Sequence, residues 1–318
     1  MSASMQRQRG VALMVALLVV ALATILVAAL LDRGELALAR TRNALRAQQA
    51  EAYAQGLDAY AASILLELAN ERTDTNASPW ATPLPPQTVP GGSISAVMRD
   101  RNGCFNLNDL APGNPLHAKQ WRPVFRNLLG RLGASLEIGP AVEAWLDADS
   151  ATRETGAYLA QPLPYRPRGG LFAHVSELRL VRGVDGDTYA RLAPHVCALP
   201  GFTRINVNTA TVPVLAALTG KTQAEAERLW NGGQAHFGSV DDFLREAGVP
   251  DGDVPSLRTL IAVNSTHFLV QGDVVLDTVP FTFYSLIERR QGIRVLQRSR
   301  GADLGLAGAA PIAAGGSR

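Results

Sequence analysis

The run from Val11 to Leu31 contains no charged side chain, and nothing else in the chain limits its fold so strongly. As a helix rising 1.5 Å per residue it is about 31 Å long, enough to cross the hydrocarbon core of a bilayer. Asp32, Arg33 and Glu35 end the run abruptly. Arg7 and Arg9 precede it, so the positive-inside rule keeps residues 1–10 in the cytoplasm and sends everything after Leu31 across the membrane. A cleaved secretory signal peptide would carry a small-x-small site just past the apolar run. Asp32, Arg33, Gly34, Glu35 and Leu36 stand there instead.

Gly10 sits at the junction between the basic leader and the apolar helix. That arrangement resembles a class III, type IV pilin-like leader. The resemblance implies a 1–10 leader removed by prepilin peptidase between Gly10 and Val11, N-methylation of the new terminus, and a helix (11–31) retained in the inner membrane. A plain uncleaved anchor is the alternative.

A chain of 318 residues has room for such an anchor and about two further domains. Without Arg7 and Arg9 the 30 basic residues become 28, equal to the 28 acidic ones. A neutral chain is poorly suited to binding nucleic acid through its phosphates. Cys104 and Cys197 are the only cysteines. Both fall on the translocated side, where a disulfide can persist; a bridge between them and two buried thiols are both compatible with the sequence.

From 32 to about 70 the chain is rich in Ala, Leu, Arg and Gln. Leu45, Tyr53, Leu57, Tyr60, Ala61, Ile64, Leu65 and Leu68 recur at helical spacing, predicting an amphipathic continuation of the membrane helix. The prolines from Pro79 to Pro90 and Gly91-Gly92 predict a loop. Ser93 to Arg99 reads as a strand, Asn102-Gly103 as a tight hairpin turn, and Cys104 to Leu107 as the returning strand. These make 71–110 the first part of a small sheet domain. The stretch 111–262 turns helical, with apolar periodicity at 121–132 and 138–146. Residues 176–196 and 211–230 read as two helix-hairpin-helix units, and Ser239 as the cap of a helix over 240–247. Strands return within 263–300, at 268–270, 274–276, 281–287 and 293–297, with Gln271-Gly-Asp273 as a turn. The Gly/Ala-rich tail, 301–318, is expected to be disordered.

The runs DRNGCFNLNDL, EAWLDAD, VSELRLVRGV, YARLAPHVCALP and INVNTATVPVLAAL resemble the signature stretches of the minor pseudopilin K family of type II secretion systems. With the leader and the closing strands they span almost the full length. The resemblance implies an α+β, pilin-like fold: a long N-terminal helix on a small antiparallel sheet, with a large all-α domain inserted. It implies a non-enzymatic role at the tip of the periplasmic pseudopilus, in complex with minor pseudopilins I and J. The fifth mature position, usually Glu in pilin-like proteins, is Val15 here; loss of that Glu is a habit of the K proteins. These proteins also hold calcium in the α-domain, which makes Asp147, Asp149 and Glu154 candidate ligands, hard oxygen donors in a loop after a helix. The EF-hand template fails at Ala151, Thr152 and Tyr158, the acidic cluster of the family after Gly156 is missing, and solvated carboxylates at a helix end are the other reading.

Gly220-Lys221-Thr222 is not a phosphate loop, since Leu215 stands where its first glycine would be. The five histidines are scattered, without HExxH or a nucleophile elbow. A membrane-anchored DNA-uptake protein is the rival to the pseudopilin reading, because helix-hairpin-helix units and the INVNTA run occur there too. Against it, the hairpin 182–187 presents Asp185 and Asp187 where phosphates would have to approach.

Overall fold

The computed structural model describes residues 3–114 and 117–301. The chain divides into two compact units, Met1–Tyr53 and Ala54–Arg318. Helix α1 (Ala3–Glu67) is unbroken. In the first unit its apolar side chains from Val11 to Leu31 are all exposed. In the second unit its last turns bury Ala54, Leu57, Ala61 and Leu65. Those positions follow a helical period, whereas Tyr60 and Leu45, expected on the same stripe, remain exposed because a turn of 3.6 residues carries them to the side.

After a 3-10 turn at Pro79–Ala81 come β1 (Leu84–Val89) and β2 (Gly92–Asp100). The helical region follows: β3 (Phe105–Asn106), α2 (Arg122–Arg131), α3 (Ile138–Leu146), α4 (Ala148–Leu159), a 3-10 helix (Val175–Leu180), α5 (Gly186–Leu192) and β4 (Val196–Cys197). A second stretch runs through β5 (Ile205–Asn206), α6 (Val212–Thr219), α7 (Gln223–Trp230), α8 (Val240–Glu246), α9 (Val254–Leu260) and β6 (Ile261–Ala262). The chain closes with β7 (His267–Leu276), β8 (Val279–Arg289) and β9 (Ile293–Arg300). The five-stranded antiparallel sheet has the order β1-β2-β7-β8-β9, so the helical region is inserted between neighbouring strands β2 and β7. Ala61 and Leu65 of α1 pack with Trp80, Met98, Phe268, Val270 and Ile287. The buried Asp58 pairs with Arg298 and pins the edge strand β9 to the helix.

Three expectations are corrected. The proline segment is not a loop throughout: 84–89 forms edge strand β1, where Pro85 and Pro86 are tolerated because an edge strand need not donate on both sides. Gln271 to Asp273 is not a turn but the middle of β7. Gly272 is there because a Cβ would stand 2.8 Å from Leu57 Cδ1; α1 lies directly on the strand. Asn102-Gly103 does not close a hairpin either. Gly103 answers a close approach, since its Cβ would meet the Thr209 carbonyl oxygen at 2.5 Å, and the following residues leave the sheet to pair β3 with β4 in parallel.

The helical region proves to be a tandem repeat, with a different partition from the two hairpin units read at 176–196 and 211–230. Each copy opens with a short strand and Asn-x-Asn, and closes with a strand parallel to the first: β3 with β4, β5 with β6. The Asn108 side chain accepts from Phe172 N at 2.8 Å and donates to Phe172 O at 3.0 Å. Asn208 does the same to Phe237, at 2.7 and 3.2 Å. Phe172, Val175, Gly183, Leu192 and Val196 match Phe237, Val240, Gly248, Leu257 and Ile261 at one constant spacing. Two hydrogen bonds made by one side-chain amide per copy fasten the approach to a helix to a strand end, satisfying backbone groups that burial would otherwise strand. One core takes in both copies, from Phe105 to Ile261, and so begins upstream of Ala111. The first copy alone carries α4 and the loop behind it.

Candidate membrane anchor and the buried polar seam

The candidate anchor is the described part of α1 beginning at Val11, long and apolar enough to cross a membrane. Its most apolar window has a mean hydropathy of 3.0 and none of it is buried. The Thr24 hydroxyl donates to Ala21 O at 2.8 Å, which keeps the run free of an unpaired polar group. Gly10 and Val11 lie within α1 and Val15 is exposed on it. Of the expected leader, residues 1 and 2 lie outside the described residues, as does the expected tail from 302 onward.

Where the helical repeats meet the sheet, a polar seam is buried. Asp74 accepts from Arg289 at 2.5 Å, from Ser265 N at 2.7 Å and from Trp80 Nε1 at 3.0 Å. Asn206 Nδ2 reaches Asp74 O, Ser265 Oγ and Asp100 Oδ2. Asn102 ties the other side: Nδ2 donates to Arg204 O, and Oδ1 accepts from Thr266 N and His267 N. Burial pushes the Asp100 carboxyl up to about 6, against hydrogen bonds from Thr209 and Asn102. Burial likewise pushes Asp109 up to about 8, although Thr203 donates to it through both N and Oγ1. His267 moves the opposite way, to about 4, because burial and then the Arg290 charge disfavour its cation. The neutral ring shares a hydrogen bond with Thr266 through Nδ1. Burial thus drives Asp100, Asp109 and His267 toward their uncharged forms, while Asp74 is matched by the Arg289 guanidinium. This arrangement locks two folded parts together and offers no acid–base pair aimed at a substrate. The sequence reading missed the seam; the Asn-x-Asn recurrence at 106–108 and 206–208 was the available signal.

Cys104 and Cys197 are joined by a disulfide with Cα atoms 5.9 Å apart, stapling the entry of β3 to β4. Asp147, Asp149 and Glu154 do not converge. Asp147 caps α4, accepting from Ser150 N at 2.9 Å, and the Ser150 hydrogen bonds hold its carboxyl below the usual range. Asp149 lies exposed in the first turn. Glu154 is about 140° further round the helix and pairs with Arg182 at 3.3 Å. Among the described residues no three His, Cys, Asp or Glu side chains gather to hold a metal. The residues present therefore do not fit a calcium ion.

The hairpin considered for DNA is also occupied from within. Asp185 accepts from Thr188 N at 2.7 Å and caps α5, filling the place where a phosphate would bind. Gly220-Lys221-Thr222 joins two helices: Gly220 ends α6 with φ of 70°, and Thr222 forms a capping box with Glu225 at the start of α7.

Two family models, both described as type II secretion system protein K, match residues 103–201 and 205–264. Their division falls between the two structural copies. The type II secretion system protein K of Pseudomonas aeruginosa is 36% identical, covering 92% of this chain and 93% of its own. That of Pectobacterium carotovorum subsp. carotovorum is 33% identical, covering 93% and 97%. The crystal structure of the GspK-GspI-GspJ complex from the enterotoxigenic Escherichia coli type 2 secretion system contains a similar chain. That chain has a TM-score of 0.72 and 31% identity, over 83% of this chain and 99% of that one. None of these similarities supports the DNA-uptake alternative. Leader junction, inserted tandem repeat and full-length likeness coincide, and this chain belongs to the type II secretion system protein K family.

Proposed function

We propose that this chain is the minor pseudopilin that caps the periplasmic pseudopilus, beginning its assembly together with minor pseudopilins I and J for export of folded proteins across the outer membrane. The observation that carries the reading is the likeness, over 83% of this chain and 99% of the other, to a chain solved in a GspK-GspI-GspJ complex. Its role is structural rather than catalytic. Prepilin peptidase removes residues 1–10, Val11 becomes the N-terminus, and the helix over 11–31 anchors the protein once in the inner membrane with the globular unit in the periplasm.

Val15 supports the tip position. In a filament interior a carboxylate there would meet the N-terminal amine of an earlier subunit; a first subunit has no such neighbour, and an unpaired charge in an apolar bundle costs several kcal/mol. The inserted repeats support it too, because so much bulk on every subunit would crowd a helical shaft. The test is co-purification of the detergent-extracted chain with its cognate I and J subunits, combined with immunogold labelling of pseudopili. Label at one end is expected. Label at intervals along the shaft, or failure to co-purify, would overturn the assignment.

A further inference from the structure

The loop and helix that set the first repeat apart from the second lie where calcium was expected, and three features show how that region is closed. First, the loop behind α4 folds back onto the start of the helix. Gly169, with φ of +63°, lies so near that a Cβ would stand 3.0 Å from Ala148 Cα and 3.3 Å from Ala151 Cβ. Gly170 N donates to Trp145 O at 3.1 Å. The space between helix start and returning loop is filled by van der Waals contact. Second, two of the three carboxylates already have partners, Asp147 on its own helix cap and Glu154 through Oε1 on Arg182, while Asp149 lies exposed in the first turn of α4. Third, among the described residues of this region the buried polar atoms left without a hydrogen-bond partner are Trp145 Nε1 and Glu154 Oε2. The first is an N–H donor, which repels a cation, and the second belongs to a carboxylate that already has the Arg182 guanidinium on its other oxygen.

Arg182 stands in the hairpin between the 3-10 helix and α5. Its guanidinium reaches Glu154 on α4, and its backbone N donates to Tyr158 Oη at 3.2 Å. Arg168, in the returning loop, holds Glu177 in a similar way at 3.1 Å, and Glu177 Oε1 also accepts from Ala173 N at 2.7 Å. Two cations from the chain itself, each about half exposed, therefore bridge the insertion to the rest of the first repeat. We propose that this member of the family closes its helical domain without a divalent cation, the Arg182 guanidinium supplying the positive charge that joins α4 to the hairpin before α5.

The experiment uses the full chain in detergent, stripped with a chelator, and follows thermal unfolding with calcium, with magnesium and with neither. The expected result is the same Tm in all three. Arg182→Ala is expected to lower Tm by a few degrees, because it leaves a half-buried carboxylate without its cation. Glu154→Gln with Arg182→Ala should recover most of the loss, since the charge that needed a partner is gone. Gly169→Ala provides a second arm and should also lower Tm. A rise in Tm specific to calcium overturns the proposal, whether or not Asp149→Asn abolishes it. An Arg182→Ala variant with unchanged Tm, or a double variant no better than the single one, overturns the role given to the guanidinium.

Discussion

Replacing Cys104 and Cys197 by serine should weaken the first helical repeat more than the second. The bond closes a sequence separation of 93 residues. In the chain-entropy account, a loop of that size restricts the unfolded chain enough to stabilise the fold by about 4–5 kcal/mol. Whole domains are stable by only about 5–15 kcal/mol, so the loss should be large. It should also be local. The disulfide fastens β3 to β4, while the matching positions of the second copy are Arg204 and Ala262 and carry no bridge. Denaturant unfolding of the detergent-solubilised chain, oxidised and double-serine, measures the total. Hydrogen exchange gives the distribution. The amides of Phe105, bonded to His195 O, and Phe172, bonded to Asn108, should lose protection. Those of Val207, bonded to Ala262 O, and Phe237, bonded to Asn208, should keep it. An unchanged unfolding midpoint would refute the reasoning, and so would equal loss of protection in both copies.

Gly272→Val forces a branched side chain against Leu57 and should cost about 1–3 kcal/mol by overpacking, read as a lower Tm with the secondary structure retained. Asp109→Asn should change the pH dependence of stability. Because burial raises the folded pKa to about 8 from 3.8, the Asp109 contribution is complete below about 4 and is lost as pH rises through about 8. Wild-type Tm should therefore fall relative to the Asn variant between those limits, and parallel curves would contradict the assignment. Mass spectrometry of membrane-extracted protein should find Val11 at the N-terminus. Gly10→Leu should leave the precursor uncut, and a mature start beyond Leu31 would rule out the leader.

What could be read in advance was governed by local chemistry. The α3 span and the Ser239 cap follow from periodicity and cap residues that act within one or two turns. The sheet turns were misread for a common reason. Gly103 and Gly272 look like turn glycines, yet each is small because a distant backbone or side chain lies against it. No neighbouring residue reveals that. The charge-bearing sites differ similarly: Asp147 was legible as an acid beside a helix, but capping and not convergence is what it does.

By itself the sequence determined one apolar helix long enough to cross a bilayer, because twenty or so uncharged residues can be satisfied only in a bilayer or a core. It also determined the succession of strand, helical insertion and strand, through changes of period that need no partner to be seen. Tertiary structure alone decided the tandem repeat and the seam at Asp74, Asn102 and Asn206. The bonds of Asn102 to Arg204 and of Asn206 to Asp74 join residues more than a hundred positions apart, those of the repeat join residues 29 and 64 apart, and burial, which neither residue controls alone, is what gives those bonds their weight.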